Sequence, residues 1–133
     1  MRADTQTVSI DAPAGRVTRF LADPANLPRW AVGFAKAVRQ EGGRWRVRTG
    51  AGEVALRIDA DPARGIVDFV ISPAPGVELL AASRVIPRGA GCEYTFTQFQ
   101  APGMSDEAFR MSVKALAHEL SVLKALMEVA CPV

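Results

Sequence analysis

Residue types that carry most enzyme chemistry are scarce in this chain. Its 133 residues include two cysteines, one histidine and one tyrosine. Cys92 and Cys131 stand in no CxxC or Cys/His spacing, so no metal site is expected, and in a reducing compartment no disulfide either. A strong charge of one sign is also missing. The formal net charge is +2, too mild to imply nucleic acid. No uncharged stretch reaches the roughly 18 residues that a membrane-spanning helix needs. Residues Met1 to Gln6 lack the apolar run of a secretory signal, which makes the cytoplasm the default location. Repeats and low-complexity segments are absent. What is present is a core: 49% of the residues are apolar, too many for a disordered chain, and the length suits one domain over residues 1–133.

The pattern along the chain alternates between two periods. Thr5 to Ile10 places Gln6, Val8 and Ile10 on one face of a strand. Pro13 suits the first turn of a helix, in which Val17, Phe20 and Leu21 form an apolar stripe. Asp23-Pro24 ends it, because a residue before proline avoids the α region. A second short helix is expected from Pro24 to about Gly33, with Leu27, Trp30 and Phe34 inward.

Strands follow, separated by turn residues: Ala35–Gln40, Arg44–Thr49, Glu53–Ala60, Ile66–Ser72, Val77–Ile86 and Cys92–Gln100. Gly42-Gly43, Gly50-Ala51-Gly52 and Asp61-Pro62 mark tight connections, and connections this short force antiparallel pairing. Each strand has one apolar and one polar face, which implies a sheet covered on one side. The cover is the last segment. Ser105 is a good N-cap, Asp106 and Glu107 suit the first turn, and Phe109, Val113, Leu116, Leu120, Leu123 and Met127 recur at helical spacing. A stripe that long must lie on the sheet's inner face.

The order of strand, two short helices, six strands and a long helix resembles the helix-grip fold of the START-like (SRPBCC) superfamily, notably its small bacterial polyketide cyclase/dehydrase-like members. The similarity is carried by Val8-Ser9-Ile10-Asp11-Ala12-Pro13, by Asp23-Pro24-Ala25-Asn26-Leu27-Pro28-Arg29-Trp30 and by Pro102-Gly103-Met104-Ser105-Asp106. The resemblance implies an α+β fold, with a curved antiparallel sheet of about seven strands wrapped around the C-terminal helix. It also implies a hydrophobic or aromatic small molecule held between sheet and helix. It transfers no catalytic motif, so an activity inferred from it is analogy.

Strand phase narrows the chemistry independently of that resemblance. Glu53, Asp59, Asp68, Glu78 and Glu93 fall in the outward phase, which disfavours paired carboxylates on the strands. The inward phase carries Thr49, Ser83, Cys92, Tyr94 and Gln98. Tyr94 and Gln98 are candidates for orienting a ligand's carbonyl or hydroxyl, or else they satisfy backbone groups at the core's edge. His118 is the lone imidazole, on the helix flank, where it is either a general base or a solvated side chain. Trp30 and Trp45 offer flat faces to an aromatic ligand or fill the core. Arg44, Arg46, Arg48 and Arg57 share the outer face with acidic partners and lack interleaved aromatics, so pairing across strands is expected there rather than nucleic acid.

Three readings remain open. The first is a ligand-binding domain with Trp30, Trp45, Phe69, Tyr94, Phe96, Gln98, Leu116 and Leu120 around a small hydrophobic molecule, using no cofactor and no metal. The second is a cyclase or dehydratase with Tyr94 or His118 as acid or base. The third is a filled core serving as an interaction module. Free sheet edges leave a homodimer open.

Overall fold

The computed structural model describes residues 2–129; Cys131 lies outside them. Seven strands form one antiparallel sheet in the order β1-β7-β6-β5-β4-β3-β2. They run Ala3–Ile10 (β1), Ala37–Glu41 (β2), Arg44–Thr49 (β3), Gly52–Asp61 (β4), Ile66–Ala74 (β5), Val77–Arg88 (β6) and Gly91–Phe99 (β7). Consecutive strands β2 to β7 are neighbours because their connections are tight turns. β1 closes the far edge against β7, with Ile10 opposite Cys92 and Ala3 opposite Phe99. This is the helix-grip arrangement that the strand and helix order implies.

Three helices cover the inner face: α1 (Ala14–Ala22), α2 (Leu27–Trp30) and α3 (Asp106–Glu128). Pro13 sits one position earlier than expected, as the extended residue before α1. α1 buries Val17, Thr18 and Leu21 and lies across the ends of β4, β5 and β6. The sheet's concave side is therefore blind at that end.

α3 spans 23 residues, about 35 Å. Ser105 caps it by accepting a hydrogen bond from the Ala108 N–H at 3.1 Å. Phe109, Leu116, Leu120, Leu123 and Met127 are buried, as their spacing predicts, and Val113 is half-buried. The helix is fastened along β1. Gln6 Nε2 donates to the Val113 carbonyl at 2.9 Å, Lys124 Nζ to the Ser9 carbonyl at 2.7 Å, and the Asp11 N–H to Glu128 at 2.7 Å. With α3 held along β1 and α1 across the strand ends, space remains on the concave face beside α2 and α3.

Two boundaries differ from the expectation, for one shared reason. The second helix region is a 3-10 turn (Pro24–Asn26) followed by α2, which ends at Trp30 rather than near Gly33. Ala31 leaves the helical region at φ −83°, ψ 54°. The chain then makes a further turn, with the Ala35 N–H donating to the Ala31 carbonyl at 2.8 Å. β2 consequently starts at Ala37, two residues later than the alternation suggests. Beyond Trp30 the Gly33 N–H donates to a side chain of α3, and the Phe34 N–H is shared between that side chain and the Ala31 carbonyl, so neither extends α2.

On the outer face Arg39, Arg46 and Arg57 are paired, whereas Arg44 and Arg48 have no ion pair among the described residues. Arg39 meets Glu53 at 2.8 Å, and Arg57 meets Asp59 at 3.0 Å and Glu78 at 3.2 Å. Such exposed pairs contribute little stability. Among the described residues, no helix is long and apolar enough to cross a membrane.

Candidate functional site

A cavity of about 380 Å³ lies between α3 and strands β3 to β7. Its floor is aromatic and aliphatic: Phe69 from β5, Phe96 from β7, Leu56 from β4, and Trp30 leaning in from α2. The Phe69 and Phe96 rings are 5.8 Å apart, and Trp30 lies 6.1 Å from Phe69 and 6.5 Å from Phe96. Tilted and edge-on rings at such separations pack favourably and present a stiff, flat-sided wall. The mouth faces away from α1. Leu80 and Phe99 stand there 48% and 43% exposed, beside Met104. The β5–β6 register slips by one residue between Ile71 and Ala74, next to this rim.

The wall's one charged side chain, among the described residues, is Glu119 on α3, only 7% exposed. Its Oε2 accepts hydrogen bonds from the Gly33 N–H at 3.0 Å and the Phe34 N–H at 3.1 Å. The Phe34 N–H also donates to the Ala31 carbonyl at 3.0 Å. Gly33 permits the close approach: a Cβ there would stand 3.2 Å from Ala115 Cβ and 3.3 Å from Glu119 Oε2. Burial pushes the Glu119 carboxyl up to about 6, while the two backbone N–H groups and the charge of Lys36 pull the other way. Reading acidic residues on the strands alone misses Glu119. Its position is nonetheless legible, three residues after Leu116 and four before Leu123, on the stripe that faces the sheet.

The sequence candidates divide in space. Trp30, Phe69, Phe96, Gln98 and Leu116 line the cavity. Gln98 Nε2 donates to Asp4 Oδ2 and to the Ser112 carbonyl, each at 3.3 Å, which positions its amide at the wall. Trp45, Leu120 and Tyr94 do not reach the cavity. Trp45 is half-buried on β3, packed against the core from one strand beyond β4. Leu120 is buried in the core. Tyr94 shares the phase of Phe96 and Gln98 but lies deeper, 0% exposed, with its ring edge-on to Trp30 at 6.4 Å. His118 is exposed on the outer flank of α3, away from the wall. Neither Tyr94 nor His118 stands where it would touch a molecule in the cavity.

The Tyr94 hydroxyl is buried without a hydrogen-bond partner. Ser83 lies near it but donates to the Val67 carbonyl. Burial pushes the phenol well above its ordinary value, Ser83 opposing weakly. An unpaired buried hydroxyl costs about 1–3 kcal/mol. Tyr94→Phe is therefore expected to raise stability by about 1 kcal/mol in urea unfolding. A loss of similar size would mean that the hydroxyl has a structural partner.

Glu119 sets a pH dependence. The folded chain binds this proton more tightly than the unfolded one, about 6 against 4.5. The favourable contribution is therefore complete below about pH 4.5 and disappears as pH rises past about 6, a fall of about 2 kcal/mol. In Glu119→Gln, which keeps an acceptor for both N–H groups, that fall should vanish. Glu41 beside Arg39, Asp106 bonded to Gln100 and Glu128 beside Lys124 are held below their ordinary values and act in the opposite sense. They are common to both proteins, so the difference in unfolding free energy between about pH 4 and pH 7 isolates Glu119. Parallel curves for the two proteins would refute the assignment.

A family profile described as polyketide cyclase / dehydrase and lipid transport matches residues 1–128. No curated protein matches the chain. Solved structures do. XoxI from Bacillus cereus has a TM-score of 0.76 at 16% identity, with 96% of each chain covered. The Aha1 dimer from Colwellia psychrerythraea has 0.76 at 15% identity, covering 97% of this chain and 98% of that one. The Zhui aromatase/cyclase from Streptomyces sp. R1128 has 0.68 at 23% identity, covering 96% and 93%. Identities this low establish the fold they share.

Proposed function

The chain belongs to the polyketide cyclase / dehydrase and lipid transport family, and from that premise we propose that it binds a small hydrophobic or aromatic molecule between the sheet and α3. The observation that carries this reading is the cavity of about 380 Å³ walled by Trp30, Phe69 and Phe96. It falls within the roughly 300–1,000 Å³ of small-molecule sites, and its apolar wall with few polar groups matches their usual make-up. A filled core would have closed this space.

The direct test is a titration with 2-methoxynaphthalene, a flat, uncharged aromatic. Saturable one-to-one binding is expected, with stability rising by about 2.7 kcal/mol at a hundredfold excess over Kd. Ala115→Leu, which places bulk on the α3 wall, should weaken binding. Absence of both saturation and thermal gain would reject the ligand site.

A second reading, catalysis, is favoured by Glu119 rather than by Tyr94 or His118. A carboxyl near 6 with one oxygen tethered and the other unbonded is suited to moving a proton to or from a bound hydroxy-ketone at neutral pH. Turnover of such a substrate, lost in Glu119→Gln, would favour it; binding without turnover would leave a carrier or receptor.

A further inference from the structure

The polar side chains on the cavity wall are few, and among the described residues none is a cation. Glu119 uses Oε2 for the Gly33 and Phe34 N–H groups, and its Oε1 makes no hydrogen bond among the described residues. Gln98 has a fixed orientation, because both partners of its Nε2, Asp4 Oδ2 and the Ser112 carbonyl, can only accept. Its Oε1 has no protein partner among the described residues. Thr49 is occupied: its hydroxyl donates to the Gly52 carbonyl and accepts from the Ala51 N–H. The Ser112 hydroxyl and the Trp30 indole N–H are the remaining lining side-chain groups able to donate. Among the described residues, no arginine, lysine or histidine lines the space. Lys36, the cation that acts on Glu119, is exposed, and its Nζ is bonded to the Val32 carbonyl at 3.1 Å.

An anionic ligand would therefore enter a site with no counter-charge and with a carboxylate on its wall. Desolvation and repulsion would both oppose it. An ammonium would bring three donors and its own desolvation penalty into a space with few acceptors. A hydroxyl brings one donor, matched to one free carboxylate oxygen. Resting on the reading of this cavity as a ligand site, we infer that its ligand is an uncharged aromatic hydroxyl compound whose O–H donates to Glu119 Oε1, and that carboxylate-bearing amphiphiles are selected against. Glu119 is then the specificity-determining residue, and the aromatic wall supplies affinity that any flat apolar molecule shares.

Three naphthalenes of similar shape separate these contributions at about pH 7.5. 2-Naphthol, which carries the donor, should bind at least about tenfold more tightly than 2-methoxynaphthalene, in which it is blocked; that ratio corresponds to about 1.4 kcal/mol. 2-Naphthoate should bind at least about tenfold more weakly than 2-methoxynaphthalene. In Glu119→Gln the side-chain oxygen stays with the Gly33 and Phe34 N–H groups and an amide NH2, a donor, takes the place of Oε1, so the naphthol preference should disappear and naphthoate binding should improve about tenfold. Equal affinities for 2-naphthol and 2-methoxynaphthalene, or naphthoate binding as tight as naphthol, would overturn the inference while leaving the cavity as a ligand site. If none of the three binds, the cavity reading fails and the donor preference fails with it.

Discussion

Trp30→Ala is expected to remove about 3–5 kcal/mol of folding stability and most of the affinity for any aromatic probe. Trp30 is 2% exposed and its ring touches Phe69, Tyr94 and Phe96. It is thus both the roof of the aromatic cluster and part of the cavity wall. Truncation opens a void among Phe69, Tyr94 and Phe96 that the stiff sheet cannot collapse to fill. Unfolding in urea measures the first effect, and a 2-methoxynaphthalene titration under folding conditions measures the second. Since a domain's total stability is typically about 5–15 kcal/mol, the variant is best studied at low temperature. Trp30→Phe keeps an aromatic ring and should recover most of both. A loss below about 1 kcal/mol in Trp30→Ala would show that the roof is dispensable.

Gly65→Ala is the other substitution with a large expected effect, at a site remote from the cavity. Gly65 ends the Pro62–Arg64 turn at φ +67°, and a Cβ built there would lie 2.1 Å from the Val85 carbonyl oxygen. Two penalties combine. The left-handed conformation costs an L-residue about 1–2 kcal/mol, and the overlap with backbone forces β5 and β6 apart. That movement strains the bond from the Val85 N–H to the Gly65 carbonyl, 2.7 Å long. The expected loss is about 3 kcal/mol or more. Gly76, in the β5–β6 hairpin, serves as the control: its φ is +79°, but a Cβ there would meet nothing within 4 Å. Gly76→Ala should therefore cost only the conformational part, about 1 kcal/mol. Similar losses at the two glycines, measured by chemical unfolding, would show that the clash at Gly65 is relieved cheaply.

Much of this architecture is legible in the sequence because it depends on short-range rules. Arg44–Thr49 and the Ser105 cap fall where alternation and capping chemistry place them. The Asp23-Pro24 break ends α1 as the pre-proline restriction requires. The outward phase of Glu53, Asp59 and Glu78 is matched by their pairing with Arg39 and Arg57. Strand phase fails at Tyr94 because it tells which face a residue occupies, not how deep it lies. Tyr94 and Phe96 share a face, yet Tyr94 is fully buried in the core and Phe96 stands on the cavity wall. Local signals overextend helix α2 because its continuation is decided by a competitor from a remote part of the chain, the Glu119 carboxylate.

By itself, the sequence determined the order and type of the elements, the antiparallel connectivity and the apolar stripe that seats α3. These follow from periodicity, turn residues and caps, all set within a few positions along the chain. Only the tertiary structure decided that the hollow stays open, that Trp30 forms part of its wall, and that Glu119, not Tyr94 or His118, lines it. Those facts depend on where α1 and α3 come to rest on the sheet and on which backbone N–H groups they leave for a distant carboxylate, and no local rule encodes such meetings.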